Sequence, residues 1–311
     1  MADVLISEFM DRPTADGLIA EYDVFWDPEL WGKKDALLAE VASAKAIIVR
    51  NATQVNVELL EAAQNLQIVA RMGVGLDNID VEACKTRGIE VCPSIGANAA
   101  SVAEYVIATA MILLRGPAYY ATPDVIAGAW ERPKFAGGVE LAGRTMGIVG
   151  FGSIGQVVGA KAAAMGMKVI AYDAMMPDDA PAWNAARRVS LQNLIRESDV
   201  ISLHCPLLPQ TVNLLDTAEF AGMKPGAILV NSARGGIANE AACAAALRSG
   251  HLGGAALDTL ATEPVTPETG ALFDGIENLI LTPHIAGVTE ESNRRIAEVA
   301  AENVRRVLGT T

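Results

Sequence analysis

The chain has 311 residues, 51% of them hydrophobic, and a formal net charge of −13. That length and apolar content allow two domains with sizeable cores. The acidic balance argues against nucleic acid and anionic membrane surfaces as partners, so an anionic substrate would have to meet a local concentration of positive charge. No apolar run approaches the roughly 20 residues of a membrane span. The opening MADVLISEFMD lacks a basic segment leading into an apolar one, so no secretory signal is expected. Cys84, Cys92, Cys205 and Cys243 form no CxxC pair and histidine is scarce, so no metal site is expected. Unpaired thiols of this kind suit a reducing cytoplasm.

Short apolar runs alternate with helical patterns along the whole chain. The first third reads as strands at 3–7, 22–26, 46–49, 66–70 and 89–92, with helices between them such as 34–44 and 57–64. A long apolar helix, 99–114, follows as a connector. Further strands are expected at 145–149, 168–172, 200–204, 227–231, 254–258 and 279–282, and a charged amphipathic helix closes the chain at 290–308. Continuous Val/Ile/Leu runs between helices indicate parallel sheets covered on both faces. Two such series predict an α/β protein with two doubly wound parallel-sheet domains, Rossmann-like or flavodoxin-like, joined by long helices. The terminal helix is expected to return to the first domain. The expected boundaries are therefore 1–98 plus 285–311 for a substrate-binding domain and 99–284 for a nucleotide-binding domain.

The second domain opens on TMGIVGFGSIGQVVGAKAAAMGMKVIAYD (145–173). It reads as strand, glycine turn, helix, strand and acid, the order a dinucleotide requires. Gly150 allows the sharp turn, Gly152 lets backbone approach a pyrophosphate, and Gly155 lets the helix pack on the strand. Unpaired N–H groups and the helix dipole at the helix start face the anion. Asp173, at the tip of the second strand, can accept hydrogen bonds from both ribose hydroxyls and would repel a 2′-phosphate. The expected cofactor is thus NAD rather than NADP.

Three polar residues lie just past later strands: Arg234 in VNSARGG, Glu263 in LDTLATEP and His284 in LTPHIAG. In doubly wound sheets the carboxyl ends of strands border the ligand crevice. An arginine there can grip a carboxylate by two parallel hydrogen bonds and polarise the adjacent carbonyl. An imidazole can take the hydroxyl proton as hydride leaves. A carboxylate on the other ring nitrogen fixes the tautomer and raises the imidazole pKa. Any one of the three alone would read as an ordinary strand-end polar residue. On a dinucleotide domain, together, they read as catalytic groups for hydride exchange with a 2-hydroxy acid.

Four motifs carry a resemblance over essentially the whole chain: RMGVGLDNID (71–80), GIVGFGSIG (147–155), NSARGGIANE (231–240) and LTPHIAG (281–287). The chain resembles the D-isomer-specific 2-hydroxyacid dehydrogenases. The resemblance implies that Arg234, Glu263 and His284 are catalytic. It implies cofactor contacts at Gly150, Gly152, Ser153, Ile154, Gly155, Asp173, His204, Cys205, Pro206, Thr211, Ala233, Asp258, His284 and Gly287. It places the substrate on Val74, Gly75, Asn98 and Arg234, the first two through backbone N–H groups, and it implies a homodimer or a dimer of dimers. Some relatives of this fold are NAD-sensing binding proteins without metabolic turnover, a different class that retains the glycine loop.

Two further arginines bear on the substrate. Arg50 in VRNATQV and Arg132 in WERPKF lie in segments resembling those of 3-phosphoglycerate dehydrogenases, where matching arginines approach the substrate phosphate. An extra pair of arginines suits a substrate with a second anion, with Arg132 acting across a dimer interface. The plainer alternatives are an internal ion pair for Arg50 and a solvated surface position for Arg132. VLISEFMD and VRNATQV also resemble sulfolactate dehydrogenases, whose substrate carries a sulfonate where phosphoglycerate carries a phosphate. The substrate expectation is (S)-3-sulfolactate, converted to 3-sulfopyruvate. D-3-phosphoglycerate and glyoxylate or hydroxypyruvate are the alternatives. No regulatory domain is expected after the terminal helix.

Overall fold

A computed structural model describes residues 2–309 as two compact units, one formed by 2–98 with 288–309 and the other by 99–287. The first holds five parallel strands: β1 (Val4–Ile6), β2 (Val24–Trp26), β3 (Ala46–Val49), β4 (Ile68–Arg71) and β5 (Glu90–Pro93). Their order is β2-β1-β3-β4-β5, all parallel. This is the flavodoxin-like winding. Alternate side chains feed two cores. Val4, Ile6, Ile48 and Ile68 pack with Leu18 and with Ile296, Ala297, Ala300 and Val304 of the helix Glu290–Leu308. Leu5, Ile47, Val49 and Val69 pack on the opposite face with Leu37, Val41, Leu59 and Leu60. Burial on both faces is why these strands read as unbroken apolar runs. The terminal helix starts at an N-cap, Thr289, whose hydroxyl accepts from the Ser292 N–H at 3.1 Å.

The second unit holds β6 (Thr145–Val149), β7 (Lys168–Tyr172), β8 (Arg187–Arg188), β9 (Val200–Leu203), β10 (Ala227–Asn231), β11 (Leu252–Leu257) and β12 (Leu279–Leu281). The order β12-β11-β10-β9-β6-β7-β8 is parallel throughout and reverses direction at β6. That is the Rossmann winding, with its switch point between β6 and β9. The helix Ala99–Arg115 belongs to this unit and covers one face with Val102, Val106, Ala110 and Leu113 against Met146, Ile148 and Ile228. On the other face Leu194, Phe220 and Cys243 cover Ile201, Leu203 and Leu229.

Several strands are offset by one or two residues from the sequence expectation, and one, β8, is not expected at all. The two-residue β8 has no apolar run, because both arginines are exposed at the sheet edge. β11 runs from Leu252 to Leu257, so it begins two residues before the expected start at Gly254 and takes in Gly253. In the structure Gly253 lies against backbone of Gly226, and Gly254 against Asn278, at distances no Cβ would allow. Among the described residues no helix is long and apolar enough to cross a membrane.

Candidate active site

The glycine turn between β6 and the helix Ser153–Ala164 is held from three sides. Gly150 sits at φ 90°, in the left-handed region that favours glycine. A Cβ there would fall 2.6 Å from the His204 carbonyl carbon. A Cβ on Gly155 would fall 2.2 Å from the Gly150 carbonyl oxygen, so helix and turn touch backbone to backbone. Gly152 is the opposite case: an added Cβ would meet nothing within 4 Å. The helix beginning at Ser153 has no side-chain cap on its first turn. Open space beside uncapped N–H groups is the arrangement that fits a pyrophosphate.

Asp173 is built into that turn. Its Oδ2 accepts from the Phe151 N–H at 2.8 Å, and its Oδ1 from the N–H groups of Met175 and Met176 at 2.8 and 3.0 Å. The carboxylate thus braces the glycine loop at the tip of β7. His204 and Cys205 follow β9 across the switch point. Burial pushes the His204 imidazole down to about 3, so it is neutral at ordinary pH, and its Nε2 lies 2.7 Å from the Ser202 hydroxyl. Burial pushes the Cys205 thiol up to about 11. The Thr211 hydroxyl donates to the Pro206 carbonyl at 2.7 Å and accepts from the Leu208 N–H at 2.7 Å, closing that loop.

Glu263 and His284 come together. His284 Nδ1 lies 2.9 Å from Glu263 Oε2, while Glu263 Oε1 accepts from the Leu260 N–H at 2.9 Å. The imidazole is about half exposed, and its Nε2 is left for a ligand. His284 itself takes φ 57°, rare for a residue with a side chain. Asp258, only 2% exposed, enforces this conformation. Its Oδ1 accepts from the Thr282 hydroxyl at 2.6 Å and the Ile285 N–H at 2.8 Å, and its Oδ2 from the Ala286 N–H at 2.9 Å. The His284 N–H donates to the Asp258 carbonyl at 2.8 Å. Thr282 in turn lies 2.7 Å from the Tyr105 hydroxyl. Thr282 has one hydroxyl proton and gives it to the carboxylate, so Tyr105 must donate to Thr282. Burial raises the Tyr105 pKa to about 12, which keeps that proton in place.

Tyr105 and Thr282 were not singled out by sequence reasoning. Thr282→Val should leave the Tyr105 hydroxyl and one Asp258 oxygen short of a partner, costing about 2 kcal/mol of stability. Equilibrium urea unfolding measures this, and an unchanged midpoint would contradict the chain of bonds as a support for the His284 loop.

Arg234 sits on the turn after β10. Asn231 shapes that turn, its Nδ2 donating to the Arg234 carbonyl at 2.9 Å and its Oδ1 accepting from the Ala233 N–H at 3.1 Å. Arg234 Nη1 donates to the Ala233 carbonyl at 2.6 Å. A Cβ on the next residue, Gly235, would fall 2.0 Å from the Leu260 carbonyl carbon, so this turn packs against the loop that leads to Glu263. The Ala261 N–H of that loop donates to Glu240 Oε1 at 2.5 Å.

The other expected substrate residues fall as follows. Arg50, Val74, Gly75 and Asn98 belong to the first unit, Arg132 to the second. Among the described residues the N–H groups of Val74 and Gly75 donate to no protein acceptor. The Asn98 Oδ1 is buried without a hydrogen-bond partner. Arg132 is exposed on a short 3-10 turn, in a hollow lined by Val125, Trp130 and Phe135.

The chain belongs to the D-isomer specific 2-hydroxyacid dehydrogenase family: the profile of that family's NAD binding domain matches residues 107–286. It is an NAD-dependent dehydrogenase of that family. An (S)-sulfolactate dehydrogenase from Chromohalobacter salexigens is 47% identical over 310 residues, 99% of either chain. A D-3-phosphoglycerate dehydrogenase from Mycobacterium leprae is 41% identical over 98% of this chain, which spans 56% of that longer protein. The D-lactate dehydrogenase from Aquifex aeolicus, solved with NAD and lactic acid, superposes with a TM-score of 0.82 at 27% identity, covering 98% of this chain and 95% of that one.

Proposed function

We propose that the chain oxidises (S)-3-sulfolactate to 3-sulfopyruvate. The observation that carries this reading is Arg50, a half-buried guanidinium for which the described residues supply no carboxylate partner. A buried cation without a counter-ion is a place for a ligand anion. The near-complete match to a sulfolactate dehydrogenase supports the choice of sulfonate. The 41% identity to a phosphoglycerate dehydrogenase keeps D-3-phosphoglycerate as the second reading.

In this reading Arg234 and the N–H groups of Val74 and Gly75 hold the substrate carboxylate, Asn98 contributes a polar contact, and Arg50 takes the second anion. Arg132 acts from a partner subunit in a dimer, and the setting is cytoplasmic. Gly152, Ser153 and Ile154 would hold the pyrophosphate and Asp173 the ribose. His204, Cys205, Pro206, Thr211, Ala233, Asp258 and Gly287 border the rest of the cofactor. NAD, when bound, supplies the acceptor for the hydride leaving C2. His284 Nε2 removes the hydroxyl proton, and Glu263 on Nδ1 holds the ring and stabilises the imidazolium. Arg234 draws charge toward the oxygen that becomes the carbonyl.

The test is NADH formation by the purified protein with (S)-sulfolactate and, separately, D-3-phosphoglycerate. Preference for sulfolactate in kcat/KM is expected, and preference for phosphoglycerate would overturn the substrate assignment. A second expected result concerns the cofactor. Asp173→Ala should lower kcat/KM with NAD on the order of tenfold to a hundredfold, because ribose contacts and the brace on the Phe151 N–H are both lost. The NADP-to-NAD ratio should rise. A parent enzyme that already uses NADP as well as NAD would refute the role given to Asp173.

A further inference from the structure

Arg50 is presented by a rigid segment. Glu8, 5% exposed, spends its carboxylate on backbone: Oε1 accepts from the N–H groups of Arg50 and Thr53 at 2.7 and 3.0 Å, and Oε2 from that of Ala52 at 3.0 Å. Asn78 grips the same segment from its carbonyl side, donating to the Arg50 and Thr53 carbonyls at 3.1 and 2.6 Å. The nearby acid therefore fixes the main chain and leaves the guanidinium unpaired. Burial lowers the Arg50 pKa and Glu8 opposes that change. A guanidinium nevertheless stays charged in a protein.

The head of Arg50 has two neutral companions. Its Nη2 donates to Asn293 Oδ1 at 3.1 Å, and its guanidinium carbon lies 5.8 Å from the ring centroid of Phe9. Asn293 stands in the first turn of the helix Glu290–Leu308, and Phe9 is 54% exposed. An amide oxygen and a ring face orient a guanidinium without cancelling its charge. A carboxylate at either place would take the fork in two parallel bonds and leave nothing for a ligand. Planar recognition of sulfonate oxygens needs both a fixed fork and an uncancelled charge.

We propose that Asn293 and Phe9 are specificity-determining residues for the second anionic group of the substrate, positioning the Arg50 fork through neutral contacts alone. This rests on the assignment of Arg50 under the proposed function. A monoanionic 2-oxo acid such as glyoxylate makes no use of the device, whereas a substrate with a second anion depends on it.

The experiment compares Asn293→Asp, Asn293→Ala and Phe9→Leu with Arg50→Ala, each assayed with (S)-sulfolactate and with glyoxylate. An acid is compatible with the first turn of a helix, so Asn293→Asp should fold, and thermal unfolding verifies this. Asn293→Asp is expected to raise KM for sulfolactate about tenfold to a hundredfold, with kcat changed far less and KM for glyoxylate near its parent value. Asn293→Ala and Phe9→Leu, which keep the charge but loosen the fork, should raise the sulfolactate KM by smaller factors. Arg50→Ala separates the two ideas. If it raises KM for sulfolactate selectively while Asn293→Asp does not, the positioning role is overturned and Arg50 keeps its assignment. If Arg50→Ala affects both substrates equally, the assignment of Arg50 itself is lost. A purely structural role for Asn293 would move both substrates together, which also overturns the proposal.

Discussion

His284→Asn should lower kcat on the order of 10²–10⁴-fold while NAD binding stays at its parent level. In the proposed mechanism the imidazole has one task. Its Nδ1 faces Glu263 at 2.9 Å, which leaves Nε2 to exchange the substrate proton. The asparagine amide cannot accept that proton at neutral pH. It is nevertheless short, polar and tolerant of the left-handed backbone that His284 adopts at φ 57°. The loop should therefore survive, because Asp258 holds it through the N–H groups of Ile285 and Ala286 rather than through the ring. Single-turnover kinetics and NAD titration by fluorescence distinguish the outcomes. Turnover close to the parent value would remove His284 from proton transfer, and lost NAD binding would mean the loop had collapsed.

Arg234→Gln should lower kcat/KM for the 2-oxo acid on the order of 10²–10⁴-fold, with both parameters affected. Two charge-assisted hydrogen bonds are lost, each worth about 1.5–3 kcal/mol. In the proposed mechanism the guanidinium also polarises the reacting carbonyl, so kcat should fall along with affinity. Glutamine keeps much of the side-chain length and leaves the turn intact, since Asn231 bonds to the Arg234 carbonyl and the Ala233 N–H. A rise in KM with kcat unchanged would reduce Arg234 to a ground-state anchor. Steady-state rates with glyoxylate and NADH decide this.

Much of this arrangement is legible in the residues. β6, β7, β9 and β10 announce themselves because both faces of each sheet are covered, so the runs stay apolar. The glycine turn is legible because backbone contacts at Gly150 and Gly155 exclude any side chain. β8 leaves no such trace, because an exposed pair of arginines at a sheet edge looks like any loop. The supports of the site are harder to see. The resemblance singles out Asp258 as a cofactor contact, but its hold on the His284 loop is hidden, since its partners at Thr282, Ile285 and Ala286 follow another strand. Tyr105 lies in an apolar helix and reads as core. Asn293 lies in a charged amphipathic helix and reads as solvated surface, and only the pairing of that helix with the first sheet brings it to Arg50. Side chains that act by holding another carry no periodic or motif signal of their own.

Arg234, Glu263, His284 and the glycine loop belong to the unit 99–287, whereas Arg50, Phe9 and Asn293 belong to the other unit. If the proposed roles hold, most of the groups that exchange hydride and proton with a hydroxy acid and most of those that choose it by its second anion are encoded in different stretches of the gene. On that reading selection could shift the preference through a few codons near either end and leave the central stretch unchanged.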